Sequence, residues 1–249
     1  MGRLRTLTYA VNLAIPGDFT RSLIPDLLQR TGEMTPQLVR AAMDAAFMLG
    51  SIAIANEMYD SGTSQYLTRK VGHVAGGLVF FSAPAVFTTP WLLVSLSLGF
   101  TILMLAARRW APNAIRGVGG SGRIDAMAEV WYPFACAIAI TVGWGLLHNP
   151  WLGVLPTLFL GFGDAITGAI RSAVYGREVK GLAGSAAMFA VCAALAMLVS
   201  PYWIGLAGAA TATVFEQATT ASPRWDDNPA LTIGSTLVMA ALYWGAVAV

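Results

Sequence analysis

Charge is what this sequence has least of. Only 11% of its 249 residues are Asp, Glu, Lys or Arg, against roughly 25% in a soluble domain, so water is not its principal solvent. Lysine is nearly absent, confined to Lys70 and Lys180. A formal net charge of +2 supports neither a nucleic-acid footprint nor a polybasic membrane patch, and nucleic acid is excluded as a partner. Cysteine is limited to Cys136 and Cys192, both within apolar runs. That excludes a disulfide framework and a cysteine metal site, and leaves two inert core thiols. No Gly-Lys-Ser or Gly-Lys-Thr occurs, which excludes a Walker A phosphate loop.

What is abundant is hydrocarbon, with 56% of the residues hydrophobic. Crossing roughly 30 Å of bilayer takes about 20 apolar residues per helix, with about 17 as a working minimum. The stretch 71–107 holds two such lengths around Thr88-Thr89-Pro90, a turn signal. The arrangement repeats in 131–163 around His148-Asn149-Pro150 and in 182–215 around Ser200-Pro201. A further span closes the sequence, and 36–56 makes another if Arg40 and Asp44, four apart, pair on one helical face. The expected fold is all-α, a polytopic transmembrane bundle of seven or eight spans: 36–56, 71–88, 91–107, 130–147, 151–172, 182–199, 202–219 and 229–248. Residues 1–33, with Arg3 and Arg5 ahead of a short apolar stretch, read as an amphipathic arm, and 34–249 as a single transmembrane domain.

Hairpin parity puts the connectors 57–70, 108–129, 164–180 and 216–227 on one side of the bilayer. They hold ten of the fifteen basic residues and the opposite turns hold none, so the positive-inside rule assigns the charged side to the cytoplasm. Ionisable residues sit where spans end: Arg69, Lys70, His73, Glu129, Asp164, Arg171 and Glu216. Boundary charges are costly, and they face a protein interior or a wet cavity.

The order Asp164, Gly168, Arg171 follows i, i+4, i+7, which lines one face of a helix. A carboxylate that can meet Mg²⁺ and a guanidinium that can neutralise phosphate oxygens then share one site, as phosphoryl transfer requires. A buried ion pair is the plainer reading of the same spacing. From Lys180 the chain passes through Gly181, Gly184 and Ser185 into a span, where helix N-terminal N–H groups bind anions. Asp226, Asp227 and Asn228 set three oxygen donors in a row with Glu216 upstream, a set that suits Mg²⁺ or merely caps a helix. The glycine-rich run 117–123, flanked by Arg116 and Arg123, folds over phosphates or serves as a linker. Glu129 opens a span beside the interfacial aromatics Trp131 and Tyr132. His73 orients a phosphate or bonds within the bundle, and His148 reads as a turn residue.

In order along the chain, Arg69-Lys70-Val71-Gly72-His73, Glu129-Val130-Trp131-Tyr132-Pro133, Gly163-Asp164-Ala165, the stretch from Lys180 to Phe189, and Glu216 with Asp226-Asp227-Asn228 resemble motifs of one family. It is that of dolichol kinase, phytol kinase and CTP-dependent diacylglycerol kinase. The usual serine and glutamate after the lysine are Gly181 and Ala183 here. The resemblance implies CTP-dependent phosphorylation of a membrane lipid alcohol with Mg²⁺. It implies Asp226, Asp227, Asn228 and Asp164 at the metal, and Arg69, Lys70, His73, Arg171, Lys180, Gly184 and Ser185 at nucleotide and phosphate. Asp164, Glu216 and Glu129 are the implied catalytic carboxylates. A cytidylyltransferase acting on a lipid phosphate and a membrane transporter are the rival readings; against transport, the charges gather at one surface rather than near the midplane.

Overall fold

A computed structural model describes residues 17–119, 127–176, 180–219 and 227–247, with side chains from Met34 onward except that of Asp227. The described residues form helices and short connections, with no strand among them. The chain divides into two compact units, Met1–Ala42 and Met43–Val249. Helix α1, Gly17–Asp60, runs through the expected boundary at residues 33 and 34. The remaining helices all belong to the second unit.

They are α2 (Gln65–Ser82), α3 (Trp91–Trp110), α4 (Ala128–Ile140), α5 (Pro150–Leu158), α6 (Asp164–Tyr175), α7 (Leu182–Ala196), α8 (Tyr202–Ala218) and α9 (Asp227–Val247). Wider π-type turns extend α4 over Thr141–Leu146 and join α5 to α6 over Phe159–Gly163. Five segments are long and apolar enough to cross a membrane: Met34–Asp60, Trp91–Trp110, Ala128–Leu146, Pro150–Tyr175 and Asn228–Val247. They are compatible with an integral membrane protein. α7 and α8, at 15 and 17 residues, fall short of that length. The sequence pattern ran α7 on to residue 199, but the last residues tighten into i→i−3 bonds, such as Leu198 N–H to Leu195 O, before Pro201 excludes further helix.

The connections follow the turn chemistry. Pro90 immediately precedes α3. Between α4 and α5, His148 adopts a left-handed φ of 54°, and the Asn149 side chain accepts from the N–H groups of Trp151 and Leu152, with Pro150 at the first helical position. His148 is a turn residue, as expected.

The segment Pro150–Tyr175 is the central element, 72% buried where Trp91–Trp110 is only 22% buried. α2, α4, α7 and α9 pack around it. Close approach depends on glycine, since a Cβ on Gly161 would stand 2.8 Å from the Gly77 Cα of α2. Ile102, Leu182, Met197, Leu237 and Trp244 point outward, an apolar surface of the kind lipid covers.

Candidate active site

α2 begins at Gln65, six residues earlier than the expected span, so Tyr66, Lys70 and His73 fall at i, i+4 and i+7 of one helical face. Lys70 Nζ donates to Asp164 Oδ2 at 2.6 Å. Its ammonium also lies 5.3 Å from the centre of the Tyr66 ring, in reach of a cation–π attraction. The lysine stem passes over Gly168, where a Cβ would stand 2.7 Å from Lys70 Cε. Gly168 is therefore the seat of the lysine. His73 Nδ1 approaches the same Asp164 oxygen to 2.6 Å, but the ring N–H is not aligned with it, and Nδ1 stays buried without a hydrogen bond. The ring packs against Tyr132 with centroids 4.7 Å apart, and the Tyr132 hydroxyl donates to His73 O.

Two turns further along α6, Arg171 makes a two-point pair with Glu216 of α8: Nη1 to Oε1 at 2.6 Å and Nη2 to Oε2 at 2.9 Å. Both side chains are almost fully buried. Arg171 Nη2 donates to Gln217 Oε1 at 2.9 Å and Ser185 to the same oxygen at 2.7 Å. Lys180 Nζ stands 3.4 Å from Glu216 Oε1 and donates to the Glu216 carbonyl. Gly184 gives the arginine room, for a Cβ there would stand 2.6 Å from Nε.

The expected face of Asp164, Gly168 and Arg171 thus exists, and it gathers Lys70, His73, Lys180, Gly184, Ser185 and Glu216. Glu129 joins neither of these ion pairs and is held instead by Arg108 at 2.6 Å. Gly119 lies against Glu129, where a Cβ would meet the carboxyl carbon at 2.3 Å. The glycine-rich connector is pinned as far as it is described: Asn56 bonds Gly117 N–H and Ala114 O, and Gln65 donates to Arg116 O. Asn228 is buried and donates to Ala128 O at 3.3 Å, tying the start of α9 to the start of α4 beside Glu129. Asp226 and the Asp227 side chain lie outside the described residues, as does Arg123. Among the described residues no three of His, Cys, Asp and Glu group as a metal site. Mg²⁺ asks less, one or two carboxylates plus substrate phosphates and water, and Asp164 beside Lys70 fits that smaller demand.

Beside the carboxylates runs an apolar cleft of about 80 Å³. Arg69, His73 and Glu129 line it, with Val79, Phe80, Leu96, Phe100 and Met104 on its apolar walls. Arg69 therefore faces the cleft. Comparison with known protein families, curated proteins and solved structures finds no match. The site rests on its own geometry.

Tyr66, Tyr132, Gln217 and Arg108 complete it and were not singled out as site residues from the sequence. Tyr66 carried a signal, four residues before Lys70 on one helical face. Gln217 carried none.

Proposed function

We propose that this protein is a kinase that transfers the γ-phosphate of a nucleoside triphosphate, CTP by preference, to the hydroxyl of a membrane lipid alcohol. The observation that carries the reading is the pairing of two buried cation–carboxylate clusters on α6, Lys70–Asp164 and Arg171–Glu216, next to a cleft with polar groups and long apolar walls. A polyphosphate needs the first and a lipid the second. The bundle then crosses the bilayer seven or eight times with its charged end in the cytoplasm, where nucleotide is found.

In this reading Lys70, Arg171 and Lys180 neutralise phosphate oxygens, and Arg69 draws the phosphate end toward the cleft. Asp164 takes the proton of the lipid hydroxyl as its oxygen bonds to the γ-phosphorus. The bond from that phosphorus to the bridging oxygen breaks, and CDP leaves. His73 and Lys70 hold the carboxylate in place and balance its change of charge. Mg²⁺, when bound, would neutralise the nucleotide phosphates; Asp164 would meet it through a carboxylate oxygen, with Asp226 and Asp227 as further donors.

The test is purified protein in detergent with Mg²⁺ and γ-labelled CTP or ATP, against phytol, geranylgeraniol, dolichol and diacylglycerol. Labelled lipid phosphate with CDP is expected, and Asp164→Asn should slow its formation by about 10²-fold or more, the usual worth of a positioned base. A folded Asp164→Asn variant working at the wild-type rate would remove Asp164 from the chemistry. Pyrophosphate release in place of CDP marks a cytidylyltransferase, and solute flux in liposomes without nucleotide marks a transporter.

A further inference from the structure

Arg171 is built to grip an anion, and the anion it grips is the protein's own. A guanidinium presents its N–H donors in a rigid fork that matches two oxygens of a carboxylate or of a phosphate alike. The Glu216 carboxylate fills that fork, at 2.6 Å on Nη1 and 2.9 Å on Nη2, while Gln217 Oε1 takes a further bond from Nη2 at 2.9 Å. Nε is buried and has no hydrogen-bond partner, in a side chain only 3% exposed. A buried donor left without an acceptor is costly. Its flank is lined by Gly184, where a Cβ would stand 2.6 Å away. The flat carboxylate spends both oxygens on the two Nη atoms, whereas a phosphate has a third oxygen to offer.

Lys180 ties the same glutamate to the end of α8. Its Nζ stands 3.4 Å from Glu216 Oε1 and donates to the Glu216 carbonyl. The helix ends at Ala218, so that carbonyl has no donor within it, and the final turn of a helix opens at least cost. Lys180 is 28% exposed and Gln217 half-buried, which puts the open side of the cluster at this turn. An anion entering there meets Lys180 first. As it draws the ammonium away, the Glu216 carbonyl loses its donor and the turn that carries Glu216 loosens.

We infer that Glu216 is an internal stand-in for phosphate: it keeps the Arg171 fork shut in the anion-free protein, and a ligand phosphate takes the fork by displacing it. Two anions cannot occupy one fork together. A terminal phosphate carries roughly −1.5 to −2 charges near neutral pH where a carboxylate carries one, so the same two cations hold it more strongly. The inference rests on Arg171 and Lys180 as phosphate residues of the proposed kinase. It changes the part of Glu216 from the catalytic carboxylate that the resemblance implies to an autoinhibitory contact.

The experiment titrates inorganic pyrophosphate, without metal or nucleotide, into the full chain in detergent at fixed ionic strength, and follows binding heat and thermal midpoint. The proteins are wild type, Glu216→Gln, Glu216→Asp and Glu57→Gln. Glu57 is exposed near the end of α1, and its exchange repeats the change of charge on another helix. Glu216→Gln should bind pyrophosphate about tenfold more tightly than wild type or better. It leaves the guanidinium buried without a counter-charge, so the anion should raise its midpoint by more than it raises that of wild type. Glu216→Asp keeps the charge on a side chain too short for both contacts. It should tighten binding by a smaller factor, and it decides the matter if Glu216→Gln does not fold. Glu57→Gln should stay within about threefold of wild type. Equal or weaker binding by the Glu216 variants, equal tightening in Glu57→Gln, or no binding by any of the proteins would overturn the stand-in. If lipid phosphate forms from CTP while the Glu216 variants bind no more tightly, the stand-in falls and the kinase stands. If they bind more tightly while no nucleotide yields a lipid phosphate, the kinase falls and Glu216 remains the gate of an anion site.

Discussion

At the scale of single residues, the site is a set of charges that cancel. Arg171 and Glu216 are each almost wholly buried, and removing one partner of such a pair costs about 3–5 kcal/mol because the other charge is left unpaired. Glu216→Ala should therefore lower the unfolding midpoint in detergent sharply. A double variant, Glu216→Leu with Arg171→Met, should recover most of the loss while transferring no phosphate. Equal destabilisation of the single and double variants would deny the pair its structural part. Spacing along α6 showed in advance that Asp164, Gly168 and Arg171 share a face. It did not show their partners, since Lys70 lies 94 positions from Asp164 and Glu216 lies 45 from Arg171. Periodicity describes one helix, whereas pairing across such distances is decided by how helices cross.

At the scale of elements, glycine sets those crossings. At Gly161 a Cβ would face the backbone of α2 at 2.8 Å, and backbone cannot yield as a flexible side chain can. Gly161→Ala should push α2 outward, cost about 1–3 kcal/mol as overpacking does, and separate Lys70 from Asp164 with loss of activity. Gly99→Ala on α3 is the control. Nothing lies within 4 Å of a Cβ there, and the exchange in mid-helix should be neutral or stabilise by about 0.5–1 kcal/mol. Thermal midpoints and turnover of the two variants give the comparison. The helical hairpins were legible because their turns carry their own chemistry, Asn149-Pro150 above all. The true lengths of α2 and α7 were not. Arg69 and Lys70 looked like the flank of a span but stand within its second turn, because the partner carboxylate and the tyrosine beneath let a charge enter the helix.

At the scale of the whole molecule, the ion pairs join the start of α2 to α6, the end of α3 to the start of α4, and the end of α8 to α6 and to Lys180 before α7. One end of the bundle is polar. Single cysteines can report which side of the membrane it faces, since native Cys136 and Cys192 are buried. Asn113→Cys lies at the charged end and Thr89→Cys in the opposite turn, both at exposed positions. In intact cells an impermeant maleimide should label Thr89→Cys and reach Asn113→Cys only after permeabilisation; the reverse pattern would put the charged end outside.

The rigidity of α6 has a last consequence. Asp164 and Arg171 are seven residues apart on an unbroken helix, so their attachment points are held about 10 Å apart along its axis. In the proposed kinase the rod would work as a gauge, with an anion-handling station at each mark. A lone phosphate would reach one station. A chain of phosphates would bridge both, and the helix would measure its guest by length before any bond is made or broken.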